Sequence, residues 1–296
     1  MIASPGFSIA TAAARLRPLA RALFVLAAVA QAAAPAHAEP DKAGYLALGD
    51  SVAFGFIDKA GYAYGNADNF VGYPDYAGRA LELQVTNASC SGEATSSFIS
   101  PVGADAGCRG YRGAFPLHVS YGSTQLSFAT AFLAANKKTT KLVTIGLGAN
   151  DGFLLQASCG GNPACVQAGL PAALAAIYAN MNSILSNLKA TGFKGTLMVV
   201  NYYSVDYSDV VQTGFTVALN QTLASVAAAN GAVVADAFTA FKTVAALAGG
   251  KTCMVGLLNA STSNQLLCDV HPSQSGQQLL ARTVVATYGK SGRKDN

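Results

Sequence analysis

Apolar, β-rich runs alternate along the chain with segments whose apolar residues recur at three- and four-residue steps. Tyr45-Leu46-Ala47-Leu48 reads as a strand that stops at Gly49. A helix over residues 74–83 and a short strand over 84–87 follow. Residues 88–122 are rich in Gly, Ser and Pro and read as loop. Ser123 is the expected N-cap of a helix running to about Asn136. Residues 141–147 read as a buried strand leading into Gly148. Leu170, Leu174, Ile177, Met181, Ile184 and Leu188 mark one face of a long helix from Pro163 to about Lys189. A strand at 196–200, a helix at 209–230, a strand at 232–235, a helix ending near Gly249-Gly250 and a last helix after Pro272 complete the series.

Such alternation predicts an α/β domain whose parallel sheet is covered on both faces. Ligands in these sheets bind at the carboxyl ends of the strands. No internal repeat and no second domain emerges. The polar face of the long helix is Asn and Ser rather than Lys and Arg, which marks a core helix rather than one lying on a membrane.

The first 38 residues are expected to be removed. Arg15, Arg17 and Arg21 form a basic stretch with no acidic residue before Glu39, and a short apolar run follows over residues 22–30. Ala36-His37-Ala38 supplies a small-x-small cleavage pattern. This is the layout of a secretory signal peptide cut after Ala38, and the run is too short and alanine-rich for a comfortable membrane anchor. Residues 39–296 then form one domain, long enough to bury a sizeable core. The expected location is secreted or periplasmic.

Setting the three leader arginines aside from the 19 Lys and Arg leaves 16 basic against 15 acidic residues. No basic stripe remains, which argues against a nucleic-acid partner. All six cysteines (Cys90, Cys108, Cys159, Cys165, Cys253 and Cys268) lie after the cleavage point. An even number in an exported chain suggests three disulfides, with fifteen possible pairings. The favoured pairing joins sequence neighbours: 90–108, 159–165 and 253–268. There is no Cys-x-x-Cys and only His118 and His271 follow the leader, so no metal site is expected.

Four short blocks carry the candidate chemistry. They are Gly49-Asp50-Ser51-Val52-Ala53-Phe54-Gly55, Ser91-Gly92, Gly148-Ala149-Asn150-Asp151 and Asp269-Val270-His271-Pro272. Ser51 sits where a strand is expected to turn into a helix, placing a hydroxyl beside helix N–H groups. A serine hydroxyl needs an adjacent base to attack. His271 is the candidate base, at the expected start of the last helix, where Pro272 would set its direction. His118 falls in the loop-rich stretch, where a histidine ordinarily packs a loop or faces solvent. An oxyanion hole needs donors from several directions: the N–H of Ser51, the N–H of Gly92 and the side-chain amide of Asn150. No Gly-x-Ser-x-Gly is present, so an α/β-hydrolase elbow is not available.

The blocks, in this order and over residues 45–276, resemble the SGNH (GDSL-type) hydrolase family. Asn87-Ala88-Ser89-Cys90-Ser91-Gly92 is similar to the second block of its secreted, cysteine-containing lipases and esterases. The resemblance implies a flavodoxin-like three-layer fold with a central parallel sheet of about five strands. It also implies no cofactor, local disulfides, and hydrolysis of carboxylic esters through an acyl-serine. One position departs from the family. Its aspartate usually stands three residues before the histidine, where this chain has Cys268, and Asp269 stands two before. Either Asp269 or a backbone carbonyl near Cys268 is then the group that orients His271.

The expected partner is a small-molecule or lipid ester, with no stable membrane insertion. Competing readings are a carbohydrate deacetylase or acyltransferase on the same site, and a secreted non-catalytic binding protein on the same scaffold. Any lid is expected within residues 56–72 or 98–122. Asn87, Asn220 and Asn259 begin Asn-x-Ser/Thr triplets.

Overall fold

A computed structural model describes residues 42–58, 61–261 and 268–291. The expected leader lies outside these residues. Strand β1 (Gly44–Gly49) is flanked by β2 (Gln84–Asn87) and β3 (Thr140–Gly146), and β4 (Thr196–Val200) and β5 (Val233–Ala235) extend the sheet. The order is β2-β1-β3-β4-β5 and every pairing is parallel. This is the flavodoxin-like order, with its topological switch between β1 and β3. The sequence pattern and the family resemblance anticipated this architecture.

Residues alternate across the sheet because successive strand side chains point to opposite faces. Leu46, Leu48, Val143 and Ile145 face one layer, built from α5 (Gln125–Asn136), α7 (Pro163–Ala190) and α8 (Val210–Ala229). Tyr45, Ala47, Leu142 and Met198 face the other, built from α2 (Tyr73–Leu81), α9 (Ala237–Ala245) and α10 (Gln274–Ser291). Helix α7 is long and apolar enough to cross a membrane. Its second half is instead packed on the sheet, with Ile177, Met181, Ile184, Leu185 and Leu188 buried. Leu170 and Leu174, from the same sequence stripe, are only half-buried.

Several local expectations are corrected. Thr124, not Ser123, caps α5, because the Thr124 hydroxyl accepts the N–H of Ser127 at 3.1 Å. The stretch 88–122 contains two short helices, α3 (Thr95–Ile99) and α4 (Cys108–Ala114). Each is too short to show periodicity. A further helix, α6 (Ala149–Ser158), starts at the Asn150 block. His271 does not open the last helix. It lies on β7 (Cys268–Pro272), which pairs antiparallel with β6 (Leu258–Ala260), and α10 begins two residues after Pro272. A strand this short carries no alternation that a reader of the sequence could detect.

Three disulfides join Cys90 to Cys108, Cys159 to Cys165 and Cys253 to Cys268. Each bridges a local loop. The two stretches named as possible lids pack on each other through Phe56, Tyr64, Tyr111 and Phe115, and Phe54 of the neighbouring turn packs on both Phe70 and Tyr111. The three Asn-x-Ser/Thr asparagines are structural. Their amide nitrogens donate to the carbonyls of Ala53, Tyr202 and Pro272.

Candidate active site

Strand β1 delivers the candidate serine. Gly49 ends the strand at φ +139°, and a Cβ there would lie 2.5 Å from the Gly146 carbonyl of β3. Only glycine lets the two strand ends approach this closely. Asp50 follows as the N-cap of α1 (Ser51–Phe54), its carboxylate accepting the N–H of Val52 at 2.9 Å. Ser51 is therefore the first helical residue, and it is nearly buried.

Three side chains from distant elements hold this turn. Gln125, fully buried on α5, accepts the Gly49 N–H at 2.7 Å and donates to the Gly49 carbonyl at 3.0 Å. Asn87, at the end of β2, donates to Ala53 at 2.9 Å. Gln277 of α10 donates to the Val52 carbonyl at 3.0 Å and accepts the Tyr73 N–H at 2.8 Å.

The second and third blocks are built as one unit. Gly92 has φ +85°, and a Cβ there would meet Ala106 backbone atoms at 2.8 Å. Asn150 donates one amide hydrogen to the Glu93 carbonyl at 2.9 Å. An amide nitrogen carries two hydrogens, so this bond aims the group and leaves a donor. Asp151 accepts the N–H of Thr95 at 3.0 Å and also the Thr95 hydroxyl. Asn180 of α7 reaches the same hydroxyl at 3.0 Å.

His271 is oriented by Asp269. Its Nδ1 lies 2.8 and 2.9 Å from the two Asp269 oxygens, and its backbone N–H reaches Asp269 at 3.2 Å. A carboxylate only accepts, so Nδ1 carries the proton and Nε2 is left as the basic nitrogen. Phe56 presses on the imidazole edge-on, with ring centres 4.9 Å apart. Tyr203 donates to the Val270 carbonyl at 2.6 Å, tying β7 to the chain leaving β4. The Cys253–Cys268 bridge anchors the start of β7.

Ser51, Asn150 and His271 line one cavity, with Phe153, Phe215 and Leu219 on its walls. Gly92 is not among the lining residues; it is linked to the site through Glu93 and Asn150. His118 is elsewhere. Its Nε2 lies 3.0 Å from the Phe54 carbonyl and its ring packs on Phe54 at 4.6 Å.

Burial sets the electrostatics. Desolvation pushes the Asp50 carboxyl up to about 6, against the hydrogen bonds from Tyr202 and Val52 and the pull of His271. Desolvation also pushes Glu93 up to about 7, although Ser97 and Gln125 donate to it. For Asp269, burial raises the carboxyl, but the His271 ring and the backbone N–H groups outweigh it and hold it below the usual value.

Cys90, Glu93 and Cys108 bring possible ligand atoms together. The two sulfurs are bonded to each other, so neither offers a thiolate to a metal. Sequence reasoning missed Gln125, Tyr202, Gln277 and Glu93. Glu93 alone left a signal, as a lone acid following Ser91-Gly92 among small residues.

The sequence matches the GDSL-like Lipase/Acylhydrolase family over residues 47–279. No curated protein sequence matches it. Among solved structures it is similar to a phospholipase A1 from Streptomyces albidoflavus NA297. That pair has a TM-score of 0.55 and 18% identity, covering 83% of this chain and 99% of the other. It is similar to an extracellular lipase from Streptomyces rimosus, with TM-score 0.54 and 18% identity, covering 82% and 99%. A catalytic mutant of an acetylxylan esterase from Geobacillus stearothermophilus gives 0.51 and 17%, covering 83% and 94%. At these identities the likeness speaks to the fold.

Proposed function

The chain belongs to the GDSL-like lipase/acylhydrolase family and is a carboxylic ester hydrolase, and from that premise we propose that it is an exported serine esterase acting on acyl esters through Ser51. The observation that carries this reading is the cavity shared by Ser51, Asn150 and His271, with Asp269 on His271 Nδ1. In the proposed reaction His271 takes the Ser51 proton as Oγ attacks the ester carbonyl. The new oxyanion is met by the Asn150 amide and the Ser51 N–H, the two of the three expected donors that line the cavity. The C–O bond to the alcohol breaks, and the leaving oxygen takes the proton from His271. Water, deprotonated by His271, then attacks the acyl-serine; the bond to Oγ breaks, Oγ takes the proton back from His271, and the acid is released.

The cavity walls favour an acyl chain over a sugar. Phe153, Phe215, Leu219, Val205 and Val270 supply apolar surface beside Ser51. Three local disulfides support an oxidising destination. With the Ala36-His37-Ala38 pattern, they support export with cleavage after Ala38.

The test is hydrolysis of p-nitrophenyl esters from acetate to palmitate, with Ser51→Ala and His271→Ala beside the wild type. The expected result is turnover that both substitutions abolish in folded protein. Near-normal turnover in Ser51→Ala removes the assignment.

A further inference from the structure

Beside the candidate nucleophile lies a carboxylate that the proposed reaction does not use. Asp50 is almost wholly buried. One oxygen caps α1 through the Val52 N–H at 2.9 Å, and the other accepts the hydroxyl of Tyr202. Tyr202 is itself fixed. Asn220, buried on α8, accepts its backbone N–H at 2.9 Å and donates to its carbonyl at 2.7 Å. The phenol thus reaches Asp50 from a backbone gripped on both sides, and Asp50 and Tyr202 both line the cavity with Ser51 and His271.

We propose that Tyr202 is a positioning residue of the active site, whose hydroxyl holds the Asp50 carboxylate ionised and in place so that a negative charge faces His271 from the Ser51 side. This rests on the esterase reading above. In the transition state His271 becomes an imidazolium. Asp269 stabilises that charge through Nδ1, and Asp50 does so through space without a bond to the ring. The field of a buried carboxylate is screened less than that of an exposed one.

The groups facing Asp50 are His271 from β7, Asp151 from α6, Tyr73 from α2, and Tyr202 and Tyr203 after β4. No lysine or arginine is among them, and no ion pair involves Asp50 among the described residues. The Tyr202 hydroxyl and the Val52 N–H are therefore the donors available to keep the carboxyl ionised. Burial already lifts it to about 6, and the Tyr202 bond opposes that rise. Protonation of Asp50 should then shape the acid limb of activity.

The experiment is the pH dependence of kcat/KM for a p-nitrophenyl ester in wild type and Tyr202→Phe, with circular dichroism as the fold control. Losing a hydrogen bond to a charged acceptor should move the acid limb upward by about one pH unit. An acid limb that stays in place in folded Tyr202→Phe overturns the proposal. If that variant does not fold, 3,5-difluorotyrosine incorporated at position 202 keeps the shape and strengthens the donor, so the limb should move down. An unmoved limb again overturns it. Carboxyl 13C NMR follows the Asp50 midpoint without turnover, so this inference fails separately from the esterase reading, which stands or falls on Ser51-dependent hydrolysis.

Discussion

Asp269 reaches His271 Nδ1 with both carboxylate oxygens, at 2.8 and 2.9 Å, although a single residue separates them. The contact is possible because the two sit on β7, where residues two apart share a face. A carboxylate one residue further back would fall on the opposite face of such a strand. The position three before the histidine is occupied by Cys268, which instead closes the disulfide at the base of the strand.

Replacing Asp269 with Asn should lower kcat on the order of 10³- to 10⁴-fold, because Nδ1 is no longer required to keep the proton. KM should change little. Stopped-time hydrolysis assays on the folded variant check this. A loss of only a few-fold would transfer the orienting role to another group.

Asn150 is aimed by a single bond to the Glu93 carbonyl. Asn150→Ala should reduce kcat by about 10²- to 10³-fold while the fold survives, the cost of one oxyanion donor. Parallel measurement of kcat and thermal midpoint separates this from simple unfolding.

Gln125 satisfies both backbone groups of Gly49 and also donates to Glu93 at 3.1 Å. Gln125→Leu keeps much of the bulk but removes the acceptor of the buried Gly49 N–H, while the Gly49 carbonyl keeps the Cys90 N–H and Glu93 keeps Ser97. It should cost on the order of 2–3 kcal/mol in urea unfolding. It should also lower kcat, since the Asp50-Ser51 turn begins at Gly49. Wild-type stability in that variant would show that water replaces the amide at no cost.

The pH dependence of stability should carry the mark of Glu93. Its folded value of about 7 lies above its ordinary 4.5, so the folded state holds the proton more tightly than the unfolded chain. The stability this contributes is complete below the ordinary value and is lost as pH rises through the folded value. Asp50 adds the same sign between 3.8 and about 6. Urea midpoints should therefore fall between about pH 5 and about pH 8, and Glu93→Gln should flatten the fall. Parallel slopes for the two proteins would contradict the assignment to Glu93.

The order and type of the main elements were legible in the chain because each buries a regular face. The continuous apolar run at Tyr45–Leu48, buried on both faces, and the three-four spacing from Ile177 to Leu188 read out the sheet and its covering helices directly. Short blocks at strand ends were legible too, since Gly49 and Gly92 stand where the backbone demands glycine. What the sequence could not contain was the company these blocks keep. Gln125 is 76 residues from Gly49, and Tyr202 is 152 from Asp50. Those contacts exist only once β1, β4 and α5 are packed. The β6–β7 hairpin that turns Asp269 toward His271 was hidden for the same reason: it is too short to show a period, and long-range pairing, not local propensity, makes it a strand. Periodicity thus determined the layers, and the short motif blocks marked the candidate serine and histidine. Tertiary packing alone decided which carboxylate meets the candidate histidine, and which buried side chains hold the turn that presents Ser51.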